Sequence, residues 1–194
     1  MSYLKKIEYE IILNDSFWII RNCPKCGRKT FFKNTKKFRI NANGNKLDIW
    51  LIYQCEECRH TFNLAIYERQ KVSSIPREEY QGFLDNNEQL AMMYGQNTQL
   101  FLKNKVAIDS DRLNYDFVKR YEAIESSDLG EQIVIVIHNP YRLKIRPEKQ
   151  IAEVLGLPRS QVKSLLRKGE IELKTELPQF ISFSVDACRF PMNK

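Results

Sequence analysis

Apolar and polar residues partly alternate over 7–13, and apolar residues gather again over 17–20, a spacing that predicts strands. Residues 30–40 hold Phe31, Phe32, Phe38 and Ile40; residues 46–54 hold Leu47, Ile49, Trp50, Leu51, Ile52 and Tyr53. Asn41-Ala42-Asn43-Gly44-Asn45 lies between them, so the two runs read as a β-hairpin whose Asn-Gly step supplies positive φ. Phe62, Leu64 and Ile66 alternate with polar neighbours over 61–69 and predict a third strand. After Pro76, which suits a first helical turn, the period changes: Tyr80, Phe83, Leu84 and Leu90 predict a helix over 77–94. Leu113, Phe117, Tyr121 and Ile124, at spacings of four, four and three, predict another over 111–125, capped by Asp109 or Ser110. The continuous run Ile133-Val134-Ile135-Val136-Ile137 predicts a strand buried on both faces.

Residues 142–173 carry a helix pair. Pro147 opens a helix with the apolar stripe Ile151, Val154 and Leu155, and Gly156 is placed to end it in a left-handed cap. Pro158 opens a second, whose Val162, Leu165 and Leu166 face inward before Gly169 and a short alternating strand over 170–173. Packing those stripes together leaves Arg159, Ser160, Lys163, Arg167 and Lys168 facing water, beside Arg142, Lys144 and Arg146.

Charge sharpens that picture. Lys and Arg outnumber Asp and Glu by 14 to 7 over residues 1–72 and by 9 to 5 over 141–177, whereas residues 73–140 carry 6 against 11. Two basic ends around an acidic middle suit a polyanionic partner better than even solubilisation does. The composition, 43% hydrophobic and 28% charged across 194 residues, is that of a folded globular protein with room for more than one module. The start shows no apolar leader, and no run of about 18 apolar residues occurs, so the expectation is a cytoplasmic protein with no membrane partner.

Four of the five cysteines fall in two pairs, Cys23-Pro24-Lys25-Cys26-Gly27 and Cys55-Glu56-Glu57-Cys58, with 28 residues between them. If those 28 residues form the hairpin, both pairs sit on turns at one end of a sheet and can converge on one metal. A two-residue gap lets a turn aim two sulfurs at one point, and four thiolates close the tetrahedral shell of a structural zinc. A thiol redox pair would need only one such motif. His60, two positions past Cys58, reads as a surface histidine, and Cys188 as an inert thiol.

The stretch from Asp15 to Lys71 resembles a zinc ribbon, a rubredoxin-like module whose three-stranded antiparallel sheet carries metal knuckles. Its aromatic residues, Trp50 and Phe62 among them, read as the small core such a module has. Arg146, Ile151, Ala152, Leu155 and Gly156, then Arg159-Ser160-Gln161-Val162-Lys163, Leu165-Leu166, Lys168-Gly169 and Ile171, resemble the S-four RNA-binding domain. That resemblance implies an RNA contact through Arg159, Ser160, Lys163, Arg167 and Lys168, with Arg142, Lys144 and Arg146 beside them. A Val-Asn-Gly turn usual in that family is replaced here by Lys174-Thr175-Glu176-Leu177-Pro178. The same small, turn and packing positions also suit a helix-turn-helix that reads DNA. A helix pair that only packs its own domain remains a third reading. Taken whole, the order resembles a bacterial family of unknown function.

The expectation is therefore an α+β protein in three parts: a zinc ribbon with N-terminal strands over 1–72, an acidic, mainly helical region over 73–140, and an S-four-like helix pair with a terminal strand over 141–194. No convergent acid, base and nucleophile set is legible: there are two histidines and seven glycines, with no phosphate-cradling loop. His138 reads as a strand-end residue, and Asp109, Asp111 and Asp116 as helix N-terminal charges. The function expected is zinc-stabilised, non-catalytic binding of structured RNA, such as ribosomal or transfer RNA. The alternatives are a protein-interaction adaptor and a DNA-binding regulator.

Overall fold

The computed structural model describes residues 2–127, 132–187 and 190. Cys188 lies outside the described residues. Strand outweighs helix by 47% to 24%, in two five-stranded sheets. This corrects the α+β expectation of a three-stranded ribbon, a helical middle and an S-four-like end. The chain forms two compact units: residues 13–114 make one, and residues 1–12 with 115–194 make the other.

In the unit of residues 13–114, β2 (Ile19–Cys23), β3 (Arg28–Asn43), β4 (Lys46–Cys55), β5 (Thr61–Lys71) and β6 (Ala107–Ile108) lie in the order β5-β4-β3-β2-β6, antiparallel throughout. Along β4 burial alternates without a break, placing Leu47, Ile49, Leu51, Tyr53 and Cys55 inside. One sheet face so apolar has to be covered. Three short helices, α1 (Arg77–Leu84), α2 (Glu88–Gly95) and α3 (Thr98–Lys103), pack on these strands. Phe83 sits edge-on to Phe38 at 4.9 Å, and Phe101 edge-on to both Phe17 and Tyr53. This cover is why the cysteine-bearing sheet is not a free-standing ribbon.

The hairpin turns at Gly44-Asn45, with positive φ at Gly44 (61°) and not at Asn45. Gly44 thus opens the turn instead of closing an Asn-Gly step. The helix expected over 77–94 breaks into α1 and α2, because Asn86 takes positive φ (51°) and the Asn87 side chain accepts from Leu90 N at 2.9 Å, capping a new helix.

In the other unit, β1 (Ser2–Leu13), β7 (Tyr115–Ser127), β8 (Gln132–His138), β9 (Ile171–Leu177) and β10 (Phe180–Asp186) lie in the order β7-β1-β8-β10-β9. β1 runs parallel to β8, with Ile7 opposite Ile135, so this strand pairs with the later half of the chain and not with the cysteine-bearing sheet. The helix expected over 111–125 is strand β7. A spacing of four is a multiple of two as well as close to one helical turn, and Tyr, Phe, Val and Ile favour the extended form. Asp109 and Asp111 consequently head no helix: Asp109 is buried in a turn, its Oδ1 accepting from Asp111 N at 3.0 Å. The run 133–137 is central strand β8, with Ile133, Ile135 and Ile137 buried and Val134 and Val136 only half-buried. The helix pair forms as α4 (Pro147–Leu155), ended by Gly156, and α5 (Arg159–Arg167). The strand after it, β9, pairs with β10 inside the five-stranded sheet, which is not the short-stranded S-four-like arrangement expected.

Candidate metal centre

Two turns built alike carry the cysteines. The first follows β2 and the second follows β4; in each, the amide four residues past the first cysteine closes back on that cysteine's carbonyl. Gly27 N donates to Cys23 O at 2.9 Å, and Arg59 N to Cys55 O at 3.1 Å. Both closing residues have positive φ, 69° at Gly27 and 62° at Arg59. Antiparallel pairing of β2 with β3 and of β3 with β4 brings Phe32 opposite Cys55 and Arg28 opposite Cys23, which sets the two turns side by side.

The structure brings Cys23, Cys26, Cys55 and Cys58 together. Their four Sγ atoms lie within 4.8 Å of one another, with Cys23 to Cys58 at 3.4 Å and Cys26 to Cys55 at 3.9 Å. All four are free thiols. Four sulfurs at about 2.3 Å from one tetrahedral ion stand about 3.8 Å apart, so the cluster has the dimensions of a single metal site. Cys23 and Cys55 are buried; Cys26 and Cys58 are half-buried.

Burial alone would push the Cys55 thiol up. The Thr30 hydroxyl, 3.3 Å away, and the backbone N–H groups of Cys58 and Glu57 outweigh that, bringing it down to about 6. Cys23 is lowered against burial in the same way, by the amides of Cys26 and Lys25 and the Cys58 thiol. The second cysteine of each turn moves the other way: Cys26 is raised chiefly by its hydrogen bond to Cys58, and Cys58 chiefly by burial. Amides aimed at sulfur are what a thiolate ligand set requires.

Side chains around the turns add support that spacing did not reveal. Thr30 is 2% exposed and placed by its β3 register opposite Arg21. Arg28 donates to both carboxylate oxygens of Glu57, at 2.8 and 2.9 Å, linking one turn to the other. His60 is exposed and takes part through its backbone, its carbonyl accepting from Cys55 N at 2.8 Å. Neither Thr30 nor the Arg28 and Glu57 pairing carries a signal in the sequence, because both depend on the β2–β3–β4 register.

The basic residues lie in the other unit, and all are exposed. Arg159, Ser160, Lys163 and Arg167 are on α5, Lys168 caps it, and Arg142, Lys144 and Arg146 lead into α4. Glu148 of α4 stands 4.0 Å from both Arg159 and Lys163. Among the described residues, no ion pair involves Arg142, Lys144, Arg146, Arg167 or Lys168.

A family described as a protein of unknown function, DUF1062, matches residues 40–177, more than half of the chain. The chain belongs to the DUF1062 family. Its matched stretch takes in Cys55, Cys58 and the whole α4 and α5 pair, and begins after Cys23 and Cys26. No curated protein and no solved structure matches this DUF1062 member. None of its described helices is long and apolar enough to cross a membrane.

Proposed function

We propose that this DUF1062 protein is a zinc-stabilised, non-catalytic nucleic-acid-binding protein that contacts structured RNA through the basic face of α5. The reading is carried by one observation: Arg159, Lys163 and Arg167 recur every four residues on an exposed helix face that holds no acidic residue of its own. Residues at that spacing share a face, so three cations line up along about two turns. Among the described residues, Glu148 is the carboxylate paired with Arg159 and Lys163, at 4.0 Å from each, and a largely solvent-screened pair at that distance is weak. Zinc is the ion a closed four-thiolate shell suits, because soft sulfur donors in a tetrahedron leave no position for a reacting water.

The test is binding of transfer or ribosomal RNA by the zinc-loaded protein across a salt series. Affinity should fall steeply with salt, and replacing Arg159, Lys163 and Arg167 together by Ala should lower the log–log slope by about two to three. Unchanged affinity and slope in that triple variant would remove the α5 surface as the binding face. Preference for a duplex DNA site over every RNA would favour the DNA-reading alternative.

A further inference from the structure

A cavity of about 340 Å³ opens where the 139–145 segment, the start of α4 and the β9–β10 turn meet. Three contacts hold its walls. Asn139, buried, clasps residue 143 from both sides, its Nδ2 donating to Leu143 O at 2.9 Å and its Oδ1 accepting from Leu143 N at 3.0 Å. Asn139 N donates to Gln179 O at 2.7 Å, tying that segment to the β9–β10 turn. Gln150, 4% exposed, gives its Nε2 to Ile145 O at 2.9 Å, and its Oε1 has no hydrogen-bond partner among the described residues. A buried acceptor without a donor is costly, and such groups gather where a ligand or water completes them.

The lining has three chemistries. Leu143, Ile145 and Ile181 give an apolar wall, and Leu177, although 43% exposed, adds to it at the mouth. Arg142 and Lys144, both exposed, line it without an ion pair among the described residues, and Arg142 is held there at positive φ (52°). Glu176, from β9, supplies an acceptor. Backbone strain at an arginine lining a cavity fits a residue held for what it meets. An anion for two cations, an apolar body, and N–H or O–H donors for Glu176 and Gln150 are together met by a phosphate, a base and a ribose.

We propose that this cavity binds one nucleotide, with the phosphate on Arg142 and Lys144, the base against Leu143, Ile145 and Ile181 with an N–H turned to the Gln150 carboxamide, and the ribose hydroxyls towards Glu176. The proposal deepens the RNA reading and rests on it only for one of two sources of the nucleotide: an unpaired residue of an RNA strand, or a free nucleoside monophosphate. Pockets of this size and mixed lining are ordinary small-molecule sites, and the preformed clasp around Asn139 lowers the ordering cost of filling it.

The experiment titrates the zinc-loaded full chain by calorimetry with the four nucleoside monophosphates, with a short single-stranded RNA and with inorganic phosphate. It uses the parent, the double variant Arg142→Asn with Lys144→Gln, the mouth variant Leu177→Glu, and the α5 triple variant. The cavity variants change exposed residues, and thermal melts check that each is folded. Expected is saturable one-site binding of at least one monophosphate, or of the oligonucleotide, at least tenfold tighter than inorganic phosphate. That binding should weaken tenfold or more in both cavity variants and persist when the α5 cations are removed. A monophosphate that saturates the site identifies the free nucleotide; binding only of the oligonucleotide identifies a strand residue. Binding no tighter than that of phosphate, or equal binding by folded cavity variants, overturns the proposal. Loss of RNA affinity in the α5 triple variant alone speaks to the α5 face, so the two readings fail separately.

Discussion

Arg112 lays its guanidinium 3.9 Å from the centroid of the Phe31 ring while its Nη1 donates to Glu56, inside the second cysteine turn, at 2.8 Å. Glu56 N in turn donates to Phe31 O at 2.9 Å, so the three residues brace that turn from outside the sulfur cluster. Arg112 also lies 5.0 Å from the Trp18 ring centroid and 3.6 Å from the buried Asp109 carboxylate, so replacing it by Ala should cost about 1–3 kcal/mol in urea unfolding. Lys should recover less than half of that, because an ammonium keeps the charge and loses the planar stack.

Metal content gives the most direct check on the cluster. Protein purified without added metal or chelator should hold one zinc per chain by elemental analysis, and replacing any one of Cys23, Cys26, Cys55 and Cys58 by Ser should remove most of it. Structural zinc in small modules contributes about 10–16 kcal/mol of apparent binding energy at neutral pH. Chelator should therefore abolish the cooperative melt of the 13–114 unit. A metal-free protein with an unchanged melt would refute the site.

The two turns differ at their closing residue, Gly27 in one and Arg59 in the other, although both sit at positive φ. A side chain pays about 1 kcal/mol or more to stay there and glycine does not. Arg59→Gly is expected to stabilise the protein by about 0.5 kcal/mol, since part of the gain is lost to the freer unfolded chain. Gly27→Ala should destabilise it by about 1 kcal/mol. Denaturation midpoints of the two variants should shift in opposite directions.

Tyr53 is 0% exposed, and its hydroxyl has no hydrogen-bond partner among the described residues. Burial first, and the charge of Asp15 second, push its ionisation far up. An unpaired buried hydroxyl costs about 1–3 kcal/mol. Tyr53→Phe should therefore be neutral or stabilising by about 1 kcal/mol, read as a higher melting temperature; a clear loss would mean that the hydroxyl has a partner.

Acid should weaken the sheet containing β1 through Glu122. Lys119, at 2.6 Å, and Lys5, at 2.5 Å, hold its carboxyl at about 2, below the ordinary 4.5. A depressed carboxyl stabilises the fold above its unfolded value, and that contribution is lost as pH falls from about 4.5 through about 2. Glu122→Gln should lower stability at pH 7 in low salt and match the parent below about pH 2.

What could be read beforehand followed local chemistry. The paired cysteines, the hairpin between them and the proline- and glycine-bounded helices at 147–167 each carry their signal within a few residues. Residues 111–125 carry a helical signal because Leu113, and Phe117 and Tyr121 of β7, satisfy two periods at once, and only a neighbouring strand decides between them. The break at Asn86-Asn87 had a turn signal, masked by apolar anchors on both sides. The partner of β1 was illegible for a different reason: alternation at 7–13 says that a strand has an inner face, and nothing in it names residues 132–138 as its neighbour. The cavity has no signature in the sequence because its walls come from three separated segments.

The parallel pairing of Leu4 with Gln132 and of Glu10 with His138 has a bearing on how the chain is made. The first strand leaves the ribosome more than a hundred residues before the one it lies against, and residues 13–114 are complete in that interval. Synthesis therefore favours the metal-bearing unit closing before β1 can meet β8. Loop closure over such a span is slow. Strand β1 goes without this partner until residues 132–138 have been made.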